Sequence, residues 1–248
     1  MYDTDISLQE IAHRLSNPKW IASQTSRYAR EFLARFLPSK FNQLFLKVKP
    51  ITMVSYARLH GLHEATKYIA KNSISGDFVE CGVARGGSAA MIGLTLRQIH
   101  VSRNLWLFDT FQGLPKPSED DPDYKIANLY TGTFVASMEE VRNSLCSLGV
   151  INNVHLVPGL FQDTVPSAPI ESISLLHLDG DWYESVKVCL DSLYDKVSPG
   201  GVIQFDDYGH WAGARKAVDE FITNRRISTP LRRLDFSGRQ LIKGVVPQ

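Results

Sequence analysis

Apolar positions recur along this chain first at helical spacing, then in short runs that alternate with helical stretches. Leu8, Ile11, Ala12 and Leu15 follow the capping-box sequence Ser7-Leu8-Gln9-Glu10 and predict a helix that ends at Asn17-Pro18. A second helix carries Tyr28, Phe32, Leu33 and Phe36 and stops before Pro38. Residues 1–50 read as a helical appendage, a lid or a dimer contact, on a main domain over 51–248. From residue 54 the rhythm changes. Helices are expected over 55–71, 87–101, 184–197 and 212–224, and another opens at the capping box Ser137-Met138-Glu139-Glu140. Apolar strands are expected over 76–82, 105–109, 154–157, 173–179 and 202–206. Ser198-Pro199-Gly200-Gly201 reads as a turn, and strands near 231–236 and 239–245 read as a hairpin around Ser237-Gly238. The stretch 110–134 is long and irregular, which marks a functional or disordered loop.

Strands alternating with helices predict an α/β fold, a parallel sheet covered on both faces, with the hairpin adding an antiparallel strand. Ligands of such sheets bind beyond the carboxyl ends of the strands. Glu80, Asp109, Asp179 and Asp206 stand at those ends. Composition narrows the function. The chain of 248 residues holds 27 Lys+Arg against 26 Asp+Glu, a net charge of +1 that gives no pull toward nucleic acid or an anionic membrane. With 44% apolar and 21% charged residues it is globular and needs neither disulfide nor metal merely to fold. Cys81, Cys146 and Cys189 have no zinc or disulfide spacing, which fits a reducing, cytoplasmic setting. No apolar run reaches the roughly 18 residues of a membrane span. The amphipathic start is unlike a signal peptide.

The first strand runs into Glu80-Cys81-Gly82-Val83-Ala84-Arg85-Gly86-Gly87-Ser88. Gly82, Ala84 and Gly87 nearly match the dinucleotide fingerprint. Two features disfavour a nicotinamide cofactor: Ala84 replaces the glycine that admits a pyrophosphate, and Glu80 sets a carboxylate near where two phosphates belong. The same carboxylate suits the ammonium and sulfonium of S-adenosylmethionine, unless it is a turn residue satisfied by backbone N–H groups. Asp109 lies 23 positions beyond Gly86, where an acid takes the ribose hydroxyls of an adenine nucleoside, or else caps its own loop. Phe161 and Gln162 could face an adenine, and Phe161 suits the core equally well.

Two further strands end in His177-Leu178-Asp179-Gly180-Asp181-Trp182-Tyr183 and Asp206-Asp207-Tyr208-Gly209-His210-Trp211. Adjacent strands bring Asp179, Asp206 and Asp207 together, and an all-oxygen set selects a hard cation, Mg²⁺. The alternative is a group of loop carboxylates capping helices. Asp181 with Glu184 reads as a capping box for the next helix. His177 suits a packed core position, and His210 the rim. No nucleophile elbow or phosphate loop occurs.

These motifs, with Phe108-Asp109-Thr110-Phe111-Gln112-Gly113-Leu114-Pro115, resemble the macrocin O-methyltransferase family, which includes aminocoumarin sugar methyltransferases. The resemblance covers about residues 55–245. It implies a class I S-adenosylmethionine methyltransferase (Rossmann-like) fold, seven strands with the last antiparallel, and Mg²⁺-dependent methyl transfer to a sugar hydroxyl of a glycosylated natural product. It implies metal ligands Asp179, Asp206 and Asp207 and a general base at Asp181; His210, on the rim loop, is the reserve candidate for the base. It places the cofactor against Glu80, Gly82 and Asp109, and the reading of the loops adds Ala84, Gly86, Ser88, Phe161, Gln162 and Asp179 as candidate cofactor contacts. Residues 1–50 and 110–134 are expected to close over a small glycoside acceptor, and the protein to form a homo-oligomer. An NAD(P)-dependent oxidoreductase, a carboxylate-metal hydrolase and a non-catalytic relative are the competing readings.

Overall fold

A computed structural model describes residues 22, 25, 29–34, 36, 37 and 39–244. The helix expected over 8–15 lies outside them. Residues 29–33 of the second expected helix are helical. The main body begins with α1 (Lys40–Val48), α2 (Tyr56–Lys71), β1 (Asp77–Cys81), α3 (Gly87–Gln98) and β2 (Leu105–Asp109). Then come a short α4 (Tyr124–Ala127), α5 (Met138–Ser147), β3 (Val154–Pro158), a one-turn α6 (Phe161–Thr164) and β4 (Ile173–Leu178). The chain finishes with α7 (Tyr183–Leu193), β5 (Val197–Phe205), α8 (Ala212–Asn224), β6 (Arg232–Arg233) and β7 (Arg239–Ile242). No described helix is long and apolar enough to cross a membrane.

The strands form one seven-stranded sheet in the order β3-β2-β1-β4-β5-β7-β6. Five are parallel, and β7 pairs antiparallel with β5 and with β6. Strand order reverses between β1 and β4, so the crevice expected for a ligand opens beyond Cys81 and Leu178. Successive strand residues point to opposite faces. Phe78, Leu107, Leu175 and Val202 therefore meet α1, α2 and α3 through Phe45, Leu62 and Met91. Val79, Phe108, Leu176 and Ile203 meet α7 and α8 through Leu190 and Val218. With both faces covered, the central strands β1, β2 and β4 are predominantly apolar. Phe45 and Val48 of α1 sit in that same core, so packing does not divide at residue 50.

Local capping bonds form at two helix starts, the first of them the box expected at Ser137. Ser137 and Glu140 form both bonds of the capping box, and Ser55 caps α2 by accepting from Arg58 N at 3.2 Å. The Ser198–Gly201 segment is not a turn ahead of β5. It belongs to β5, as a bulge between Ile173–Val197 and Leu175–Val202 pairings. Gly200 supplies the left-handed residue (φ +81°) and donates to Lys243 O at 2.6 Å, so neighbouring strands absorb what reads locally as a loop. The last two strands are shorter than expected, and a 3₁₀ turn at Tyr194–Lys196 ends the α7 region before β5.

Gly82 closes the crevice between β1 and β4. Its φ is +92°, and a Cβ there would lie 1.8 Å from the carbonyl oxygen of Asp179. Gly82→Ala should lower unfolding free energy by about 3 kcal/mol, from backbone strain and overpacking together. Urea denaturation checks this, and an unchanged midpoint would show that the two loops do not meet as described.

Candidate active site

A cavity of about 980 Å³ opens at the carboxyl edge of the sheet. Of the residues singled out above, Gly82, Ala84, Ser88, Asp109, Phe161, Gln162, Asp179, Asp181, Asp206, Asp207 and His210 all line it. Glu80 and Gly86 do not. Glu80 belongs to β1, opposite His177 in register, and its Oε1 lies 2.8 Å from His177 Nδ1 inside the sheet. It is fully buried, and the strand pleat directs it toward the helical layer beneath the cavity. Gly86 is buried at the N-cap of α3 with φ +84°, serving the turn.

At one end of the cavity the glycine loop wraps a carboxylate. Asp109 Oδ2 accepts from Val83 N at 2.7 Å and Ala84 N at 3.1 Å, while Oδ1 accepts from Phe111 N at 2.7 Å. Asp109 thus braces its own loop and the glycine loop together. Ala84 takes φ +44°, a conformation unusual for a residue with a Cβ, and it brings two consecutive N–H groups onto one oxygen. Phe161 opens α6, lines the cavity and also packs partly on the core.

At the other end lie the carboxylates that leave β4 and β5. Asp181 N donates to Asp207 Oδ2 at 3.3 Å. One atom each of His177, Asp179 and Asp206 lies within 4.8 Å of the others. Asp181 is not spent on capping α7. The cap position is Trp182, without a side-chain cap of its own, and Tyr183 N donates instead to Asp121 Oδ1 at 2.7 Å. Asp181 stands at φ +58° and accepts from Trp211 Nε1 at 2.8 Å. His210 sits beside it on the rim, its ring edge-on to Trp211 at 4.8 Å.

The sequence profile of the Macrocin-O-methyltransferase (TylF) family matches residues 47–241. The chain belongs to that family. Demethyldecarbamoylnovobiocin O-methyltransferase of Streptomyces niveus is 36% identical over 192 residues, 75% of this chain and 73% of the relative. Mycinamicin III 3''-O-methyltransferase of Micromonospora griseorubida is 33% identical over 194 residues, 75% of this chain and 76% of the relative. The solved O-methyltransferase NovP superposes with a TM-score of 0.73 at 35% identity, covering 78% of this chain and 82% of that one. This macrocin O-methyltransferase family member therefore has the class I methyltransferase fold and is an S-adenosylmethionine-dependent O-methyltransferase. The oxidoreductase and hydrolase readings give way to it.

Charge sets the character of the acidic end in this family member. Burial, then Asp206, Asp207 and Asp181, pushes Asp179 well above the ordinary carboxylate range. Burial and Asp207 raise Asp181 well above it too. Burial and Asp206 push Asp207 up to about 6. Asp206 stays low despite burial because Arg58 and His177 stabilise its charge. His177 is pushed up to about 9, since bonds to Asp206 and Glu80 outweigh its burial. Arg58, in the first turn of α2, pairs with Asp206 and reaches Asp235 at 3.2 Å. No local pattern marks Arg58, which contacts Asp206 across 148 positions. One guanidinium and one imidazolium leave several carboxylates uncompensated. An oxygen donor set with excess negative charge is what a hard divalent cation requires, so these residues fit Mg²⁺.

The raised Asp207 has a definite sign in stability. Its contribution is present below its ordinary value of 3.8 and is lost as pH rises to about 6. In chelator-treated protein, the wild type should lose stability relative to Asp207→Asn over that window, at about 1 kcal/mol per pH unit, and run parallel above it. Urea denaturation across pH measures the difference, and parallel curves throughout would refute the assignment.

Proposed function

We propose that this methyltransferase acts on a sugar hydroxyl of a glycosylated natural product, with Mg²⁺ held by Asp179, Asp206 and Asp207 and with Asp181 as general base. One observation carries the reading: a single cavity joins the Asp109-braced glycine loop to the acid cluster containing Asp181. The relatives' names support the acceptor class. One is named for the 4'-O position of a rhamnosyl tetracenomycin, and another for the 3''-O position of mycinamicin III.

A sugar hydroxyl is a weak nucleophile because its pKa lies far above neutral. When bound, Mg²⁺ supplies the positive charge that lowers that pKa and orients the hydroxyl. S-Adenosylmethionine supplies the electrophilic methyl. The acceptor oxygen forms the new O–C bond as the C–S bond breaks, S-adenosylhomocysteine leaves, and the hydroxyl proton passes to Asp181. A carboxylate made more basic by burial and by Asp207 is suited to take it. Trp211 Nε1 holds one oxygen of Asp181, which orients the other. Gly82, Ala84 and Ser88 of the glycine loop would hold the methionine side of the donor, and Asp109 would take its ribose hydroxyls. Phe161 and Gln162 would hold the adenine, and Asp179 would contact both donor and metal. His210 shares the rim and is the second candidate base.

Residues 1–50 and 110–134 are the proposed lid, and Ala22, Arg30, Thr110 and Phe134 from these two segments line the cavity. Phe32, Leu33 and Phe36, exposed among the described residues, offer an apolar surface for a second copy in a homo-oligomer.

Incubation with S-adenosylmethionine, Mg²⁺ and a panel of glycosides including mycinamicin III should yield a methylated glycoside by mass spectrometry. EDTA should abolish the transfer and Mg²⁺ restore it. Transfer indifferent to EDTA would remove the metal, and failure on every glycoside would remove the sugar acceptor. Asp181→Asn should lower kcat about 10²–10⁴-fold with calorimetric S-adenosylmethionine affinity preserved. Near-normal turnover would assign the proton to another group, His210 first.

A further inference from the structure

The loop after β2 does more at this edge than cover it. Helices α7 and α8 begin directly after the two acidic loops, and both have a tryptophan at the cap position with no capping side chain: Trp182 and Trp211. A helix start without an acceptor leaves N–H groups unsatisfied. Both starts borrow their acceptors from one distant loop. Asp121 Oδ1 accepts from Tyr183 N at 2.7 Å, and Asp123 Oδ2 accepts from Ala212 N at 2.9 Å. Asp121 Oδ2 also accepts from Ser118 N at 3.1 Å, which ties the cap to the loop's own turn. The same loop holds the tryptophans themselves. Trp182 Nε1 donates to Pro115 O at 2.7 Å, and Tyr130 lies edge-on to Trp211 at 5.1 Å. The two indoles contact each other edge to face at 5.0 Å, and Trp211 in turn holds Asp181.

Asp121 is 2% exposed, and its entry is built into α8. A Cβ on Gly213 would lie 1.8 Å from Asp121 Oδ1. Asp181 has a left-handed backbone at φ +58°, a conformation that persists only when its surroundings over-determine it.

We propose that Asp121 is a positioning residue for methyl transfer: seated in the slot left by Gly213, it caps α7 and locks the Trp182–Trp211 pair that orients the Asp181 carboxylate. The stretch expected to close as a lid is, between Pro115 and Asp123, a brace bonded to the rim. The catalytic consequence rests on Asp181 being the base; the mechanical link does not.

The link is read by hydrogen exchange of the indole N–H groups in ¹⁵N-labelled protein. In Asp121→Ala, the Trp182 and Trp211 indole protons should exchange about tenfold faster or more. Trp106, whose indole donates to Asp77 at 2.9 Å, is the internal control and should not change. Asp121→Asn keeps an oxygen in the slot and should restore most of the protection. Gly213→Ala should reproduce the Asp121→Ala pattern, and the double variant should be no worse than either single one. Unchanged Trp211 exchange, or equal acceleration of all three indoles, overturns the proposal. In kinetics with the glycoside accepted in the panel above, Asp121→Ala should lower kcat about 10–100-fold while calorimetric S-adenosylmethionine affinity holds. A silent Asp121→Ala beside a slow Asp181→Asn overturns this proposal alone, whereas a silent Asp181→Asn overturns the base assignment.

Discussion

Everything at the carboxyl edge depends on the parallel pairing of β1 with β4 where the sheet reverses direction. Cys81 lies opposite Leu178, Asp179 N donates to Cys81 O at 2.8 Å, and Gly82 rests against the Asp179 backbone. No side chain separates the two loops at that point. One strand therefore delivers the glycine loop and its neighbour the first aspartate of the acid cluster into the same crevice. The glycine loop and the acid cluster are thus neighbours without any further movement of the sheet. Holding two reactants in near-attack geometry removes much of the entropic barrier to a transfer between them.

The electrostatic cost of that convergence is handled below the cavity floor. Glu80, His177 and Asp206 form a chain across β1, β4 and the end of β5, and Arg58 approaches Asp206 from α2. Buried ionic chains of this kind add little net stability compared with apolar packing, but breaking one member is costly. Here they orient Asp206 and hold its charge, whereas Asp179, Asp181 and Asp207 are pushed toward the protonated form. The cluster is thus divided into a fixed anion and carboxylates whose charge depends on what binds beside them. Arg58 also reaches Asp235, so the acid cluster is tied to the C-terminal hairpin as well as to the helical layer.

Above the cavity floor, order comes from borrowed contacts. Two helices whose own cap positions hold tryptophan are completed by aspartates from the loop after β2. Bulky indoles at those positions give the rim a packed apolar wall, which a serine or aspartate cap could not supply. The wall in turn presents a single N–H to Asp181. Packing and hydrogen bonding act together, so the strained Asp181 backbone is held from several directions.

Much of this protein was written locally. Alternating apolar strands and helices, the capping box at Ser137, and acids at the ends of β1, β2, β4 and β5 follow from periodicity and short-range hydrogen bonding, so the layered sheet and the place of its crevice were legible from the chain itself. The four ordered motifs also specified the family. Tertiary structure alone decided what those residues touch. Glu80, at a strand end like the others, turns inward to His177 because the pleat and its register dictate its direction. The Ser198–Gly201 segment, rich in turn formers, becomes part of β5 because neighbouring strands pair around it. Arg58 meets Asp206 across 148 positions and Asp121 meets Tyr183 across 62, with no periodic signal for either. Local chemistry determines which elements form and where their polar ends lie; long-range partners are chosen only when packing brings distant segments together, because a side chain's contacts depend on the whole sheet closing around it.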